Sequence, residues 1–129
     1  MHNAPVHPNL PVVDLERAIK FYRDKLGLKL LKAESPTETF AGAILEAGDG
    51  TIVYLYTRGA TKADHTAAEF KVKDFDAVMQ SLRSRGVVFE EYDMPNLKTV
   101  NGVATWGDTK SAWFKDTEGN ILAISNMTW

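Results

Sequence analysis

Two stretches of this chain, sixty residues apart, carry the same helical pattern, and this repetition constrains the fold more than any other feature. From Asp14, LERAIKFYRDKLG places Leu15, Ala18, Ile19, Tyr22 and Leu26 on one helix face, with Asp14 as the N-cap and Gly27 as the stop. From Asp74, FDAVMQSLRSRG repeats the spacing with Phe75, Val78, Met79 and Leu82 before Gly86 closes the helix. Both helices are amphipathic, and they match in position and in face.

The flanking segments repeat as well. A short strand precedes each helix, Val6 to Val13 and Thr66 to Lys73, so the shift of sixty sets His7 against Ala67. After the first helix come strands at Leu28 to Ala33, Phe40 to Ala47 and Thr51 to Thr57, with Gly48-Asp49-Gly50 turning the last hairpin. After the second come a strand from Val87 to Tyr92, a longer connection from Asn96 to Gly107, and Lys110 to Lys115 pairing with Asn120 to Asn126. Their turn, Asp116-Thr117-Glu118-Gly119, has Asp first and Gly last, as a type I turn with a left-handed glycine prefers. The expected fold class is therefore α+β. Two βαβββ modules, about 6–58 and 65–126, are joined by a linker from Arg58 to Asp64 within a single domain, 1–129.

Charge and cysteine content narrow the function classes. Fifteen basic against seventeen acidic residues leave a net charge of -2, and no cluster of Lys and Arg offers a footprint for nucleic acid or an anionic membrane. No segment approaches the ~20 apolar residues that span a bilayer, and the start lacks the basic and apolar regions of a secretory leader, so a cytoplasmic location is expected. With no cysteine, thiolate nucleophiles, disulfides and thiolate-bound zinc are excluded; a metal would need His, carboxylate or Tyr ligands. The nucleophile-elbow, dinucleotide and phosphate-loop motifs are absent.

Three stretches, PVVDLERAIKFYRDKLGLKL, HTAAEFKVKDFDAV and AWFKDTEGNILAIS, resemble the vicinal oxygen chelate superfamily of glyoxalase-like, bleomycin-resistance-like and extradiol-dioxygenase-like proteins, over nearly the whole chain. The resemblance implies two βαβββ modules forming a curved mixed sheet around a cleft with the helices outside, and a homodimer. It does not choose a chemistry, because one fold hosts many.

Metal-dependent members of that superfamily place a ligand on the first and last strand of each module. Counting back from the capping aspartates gives His7 and Ala67; aligning the hairpin turns gives Tyr54 and Ala123. Only His7 is a usual ligand, and Ala123 stands where glyoxalase-I-type enzymes carry a carboxylate that also moves the substrate proton. No metal and no other cofactor is the expectation. The alternative is a divalent metal held by His7, His65 and Glu69, the latter two flanking Ala67 by two residues on each side, so that period-two alternation aims His65, Ala67 and Glu69 to one side.

Period-two alternation sends Leu45, Val53, Leu55, Phe70, Val72, Phe114, Leu122 and Ile124 toward the helices. The opposite face then carries His7, Asn9, Ile44, Tyr54, Tyr56, Glu69, Trp113, Ile121 and Ser125, with Trp113 across the hairpin from Ala123. The Met94 to Gly102 segment has no counterpart in the first copy and is a candidate cover, with Trp106 just beyond it. The ligand-binding residues expected are His7, Asn9, Tyr54, Tyr56, Glu69, Trp106, Trp113 and Ser125; no residue is given a catalytic role. A face of aromatics with polar tips suits an aromatic or bulky organic molecule. The resemblance thus implies a metal-free small-molecule-binding protein of the bleomycin-resistance type. The alternatives are a metal-dependent lyase or dioxygenase using His7 with His65 and Glu69, a metal-free isomerase using Tyr54 and His7, and an interaction module without a ligand.

Overall fold

Each helix starts at an aspartate that follows its preceding strand within three residues. In the computed structural model, which describes residues 1–34 and 41–128, Asp14 Oδ1 accepts the Arg17 N–H at 3.1 Å and Asp74 Oδ1 accepts the Ala77 N–H at 3.2 Å. Each carboxylate satisfies one of the donors that a helix start leaves without a partner. Contacts divide the chain into two units, residues 1–62 and 63–129.

In the first unit, β1 (Asn9–Val12), α1 (Leu15–Lys20), β2 (Lys29–Glu34), β3 (Gly42–Glu46) and β4 (Ile52–Thr57) build a four-stranded sheet in the order β1-β4-β3-β2. β1 runs parallel to β4, and the other pairs are antiparallel. The second unit repeats this plan. Its β5 (Thr66–Lys71), α2 (Phe75–Ser84), β8 (Ala104–Trp106), β9 (Thr109–Lys115) and β10 (Ile121–Ser125) give the order β5-β10-β9-β8, again with the first strand parallel to the last. Between α2 and β8, the short strands β6 (Asp93–Met94) and β7 (Leu97–Lys98) pair with each other. Two mixed sheets, each with one principal helix, make the α+β class and the two βαβββ modules plain.

The expected strand from Phe40 begins at Gly42, and Phe40 itself lies outside the described residues. The first helix also differs from a regular one. After α1 the backbone widens into a π turn over Phe21–Lys25, where the Leu26 N–H reaches back five residues to the Phe21 carbonyl at 3.2 Å. The extra residue lets Phe21 and Tyr22 both turn inward, edge to face at 5.4 Å, whereas a strict 3.6 period places only Tyr22 there. Gly27, at φ 77°, then ends the helix.

The expected strand from Val87 to Tyr92 is corrected. Among the described residues it makes one bridge, Phe89 to Phe114, which includes the bond from the Glu90 N–H to the Trp113 carbonyl at 2.7 Å. Beyond that point the backbone bonds to its own insertion: the Tyr92 N–H donates to Thr99 Oγ1 at 2.8 Å and the Thr99 N–H donates to the Tyr92 carbonyl at 2.9 Å. The Glu91 carboxylate accepts the Gly102 N–H and the Thr99 hydroxyl, so the segment folds on itself instead of following β9.

Leu45, Val53, Leu55, Phe114, Leu122 and Ile124 are buried as alternation predicts, with Leu10 and Val12 beside those of the first unit and Phe75, Met79 and Leu82 of α2 in the second. Phe70 and Val72 are only half-buried. At the β9–β10 turn the Asp116 carboxylate accepts the N–H of Glu118 and of Asn120, both at 2.8 Å, and Gly119 is left-handed at φ 88°. No described helix is long and apolar enough to cross a membrane.

Candidate functional site

In the second unit, Glu69, Ala123 and Trp113 stand side by side across β5, β10 and β9. Residues paired directly across strands project to the same side, so these three share the face opposite Phe114 and Leu122. The Trp113 ring is the hub of that face. It meets Tyr92 edge to face at 5.7 Å and Trp106 edge to face at 6.5 Å, and its indole N–H donates to Thr66 Oγ1 at 3.2 Å. Perpendicular pairs bring the positive edge of one ring to the negative face of the next, which holds the cluster in one arrangement. Trp106 remains 49% exposed, leaving indole surface free to meet another planar group.

Thr66 reaches this face because of a β-bulge. Ile121 stands beside Thr66, but Leu122 stands beside Ala68, so Ala67 is an extra residue in β5. The bulge reverses the alternation for everything before it. It brings Thr66, rather than His65, to the side of Ile121, Ala123 and Trp113. The expectation that His65, Ala67 and Glu69 point together is thereby corrected. His65 is exposed outside the strand, with its ring 3.8 Å from the Asp64 carboxylate, and four residues of extended chain separate it from Glu69 by about 13 Å. Two ligands of one metal ion lie within a few ångströms of each other. Among the described residues no three His, Asp or Glu side chains come together in a group that could hold a metal ion.

Ser125 also departs from expectation. It lies on the same face as Trp113 but is 1% exposed, its hydroxyl 3.1 Å from that of Ser111 and accepting the Met127 N–H at 3.1 Å. Those bonds make it a strand-end lock with no surface left for a ligand. Tyr92, which the sequence reading missed, is half-buried, and burial, with the Glu90 carboxylate as the smaller cause, pushes its hydroxyl above the ordinary tyrosine range. No pattern announces it, because it sits in an irregular segment held by side-chain bonds.

In the first unit, Asn9, Tyr54 and Ile44 form one row across β1, β4 and β3, and Pro11, Tyr56 and Gly42 form the next on the same side. Asn9, Tyr54 and Tyr56 therefore share a face as expected, with both tyrosines half-buried. His7 does not join them on a strand. Pairing begins at the Pro8 carbonyl, which accepts the Tyr54 N–H at 3.0 Å, and β1 begins at Asn9, so alternation has no hold on His7, which is exposed. Pro8 has no N–H with which to extend the ladder.

The model of the Glyoxalase/Bleomycin resistance protein/Dioxygenase superfamily matches residues 4–124. A lactoylglutathione lyase of Haemophilus influenzae is 32% identical over 133 residues, which cover 95% of this chain and 93% of that one. Among solved structures, TnmS3, an antibiotic binding protein from Streptomyces sp. CB03234, superposes with a TM-score of 0.65 at 21% identity over 95% of each chain. The fosfomycin resistance protein FosX from Listeria monocytogenes, solved with Mn(II) and sulfate, superposes with a TM-score of 0.69 at 12% identity over 99% of this chain and 95% of that one. At such identities the two structural likenesses are of fold alone.

Proposed function

The chain belongs to the Glyoxalase/Bleomycin resistance protein/Dioxygenase superfamily, and from that premise we propose that it is a small-molecule-binding protein that holds an aromatic organic ligand without a metal. The observation that carries this reading is the Tyr92–Trp113–Trp106 cluster with Trp106 half-exposed at its end. A flat ligand gains stacking area against Trp106 while Trp113, fixed by Thr66 and Tyr92, keeps the wall from collapsing. Ala123 beside Trp113 supplies neither a metal ligand nor a proton acceptor at that position.

Thermal unfolding of the purified protein with a panel of planar aromatic compounds tests the proposal. A ligand present at a hundred times its Kd stabilises by about 2.7 kcal/mol, which moves the Tm by several degrees in a domain of this size. Stabilisation by at least one compound in the wild type and not in Trp106→Ala supports it; no response across the panel contradicts it.

A second reading, a divalent-metal lyase with His7 among its ligands and without the His65 and Glu69 pair, is favoured by the 32% identity to a lactoylglutathione lyase. Formation of lactoylglutathione by the metal-supplemented protein, abolished in His7→Ala, decides for it.

A further inference from the structure

Resting on the ligand-binding reading, we propose that the ligand carries an anionic group, such as a carboxylate, held by Lys98 beside Trp106. Trp106 belongs to two surfaces at once. It closes the aromatic cluster through Trp113, and it lines a cavity of about 460 Å3 together with Pro95, Asn96, Leu97, Lys98 and Thr105. That size falls in the range of small-molecule pockets. The cavity is an open hollow against the β6–β7 hairpin, with Pro95 and Asn96 at the hairpin corner.

Among the residues lining the cavity, Lys98 is the one that carries a charge. Lys98 is exposed, and its ammonium has no hydrogen-bond or ion-pair partner among the described residues. Lys110, which pairs with Thr105 across β8 and β9, is already held by both carboxylate oxygens of Asp76 at 3.1 and 3.2 Å. Glu90, near Tyr92, has Lys115 at 3.9 Å. Two carboxylates lie nearby, Asp93 directly across the hairpin from Lys98 and Asp108 in the β8–β9 turn after Trp106, and both oppose an incoming anion without bonding the ammonium. Asn96 and Thr105 add neutral donors. A ring stacked on Trp106 therefore places a substituent where one uncommitted cation waits, and a charge-assisted hydrogen bond there is stronger than a neutral one.

Titrations of wild type, Lys98→Gln and Asp93→Asn with 2-naphthoate and its neutral isostere 2-naphthamide, followed by tryptophan fluorescence, test this. The expected result is that wild type prefers the carboxylate by about tenfold, that Lys98→Gln loses the preference while its affinity for the amide is unchanged, and that Asp93→Asn widens it. Equal affinity of wild type for the two probes, or a preference that survives Lys98→Gln, overturns the anion subsite and leaves aromatic binding intact. If neither probe binds wild type, the same carboxylate and amide pair is made from a compound that stabilises wild type in the thermal panel, and no response across that panel overturns the aromatic-binding reading and the anion subsite with it.

Discussion

The ring of Tyr54 lies over Gly42, so close that a Cβ at residue 42 would stand 2.5 Å from the phenolic oxygen and 2.9 Å from the carbon bearing it. Gly42 is buried in β3, next to Tyr56 on β4, and the missing side chain is what lets the tyrosine lie flat on the sheet. Gly42→Ala is expected to cost about 1–3 kcal/mol through overpacking, read from the midpoint of chemical denaturation. The cost should shrink in a Tyr54→Ala background, because the two substitutions share one contact. An equal cost in both backgrounds would place the strain elsewhere.

Trp106 and Trp113 should respond differently to truncation. Trp106 is half-exposed, so Trp106→Ala is expected to change stability by less than about 1 kcal/mol while removing aromatic binding. Trp113→Ala removes the hub that meets Tyr92, Trp106 and Thr66, and should cost about 3 kcal/mol as well as binding. Parallel denaturation curves and fluorescence titrations separate the two effects.

The Glu91 carboxylate fastens the turn from Thr99 to Gly102, where Asn101 and Gly102 are left-handed at φ 53° and 79° and Arg83 donates to the Asn101 carbonyl. Glu91→Ala leaves the Gly102 N–H without its acceptor, at a cost of about 1–3 kcal/mol. Amide hydrogen exchange at Gly102 should quicken strongly while exchange in β9 and β10 stays slow. Equal acceleration throughout would mean that the anchor supports the whole unit.

Tyr92 predicts an alkaline weakness. Burial first, and Glu90 second, hold its hydroxyl above the ordinary value, so between the unfolded and folded pKa the folded state keeps a proton that the unfolded state has lost. Stability from this group is fully present below about pH 10 and is lost as pH rises through the folded value. Tyr92→Phe should flatten the stability profile above about pH 10 relative to wild type; identical slopes would show that the hydroxyl titrates as if free.

The parts of the fold legible in the sequence were those carried by an unbroken period. Asp14 and Asp74, followed by apolar residues three and four apart, located both helices, and the repeat of sixty ordered the strands. The turn at Asp116 to Gly119 set the register that places Trp113 across from Ala123, as found. One-residue insertions hid the rest. The π turn brought Phe21 inside with Tyr22, and the bulge at Ala67 exchanged Thr66 for His65 on the face of Trp113. Each reverses the periodic phase locally without altering composition, so a pattern of twos or of 3.6 carries the reader past it. Tyr92 was hidden for another reason: its position depends on side-chain bonds from Thr99 and Glu91, which no period records.

The most direct test of metal-free aromatic binding is the affinity of the purified protein for 2-naphthoate, measured by tryptophan fluorescence before and after exhaustive treatment with a metal chelator. The account predicts the same Kd in both samples and loss of the signal in Trp106→Ala. An affinity that collapses on chelation and returns with added Mn(II) would contradict it and place a metal in the site.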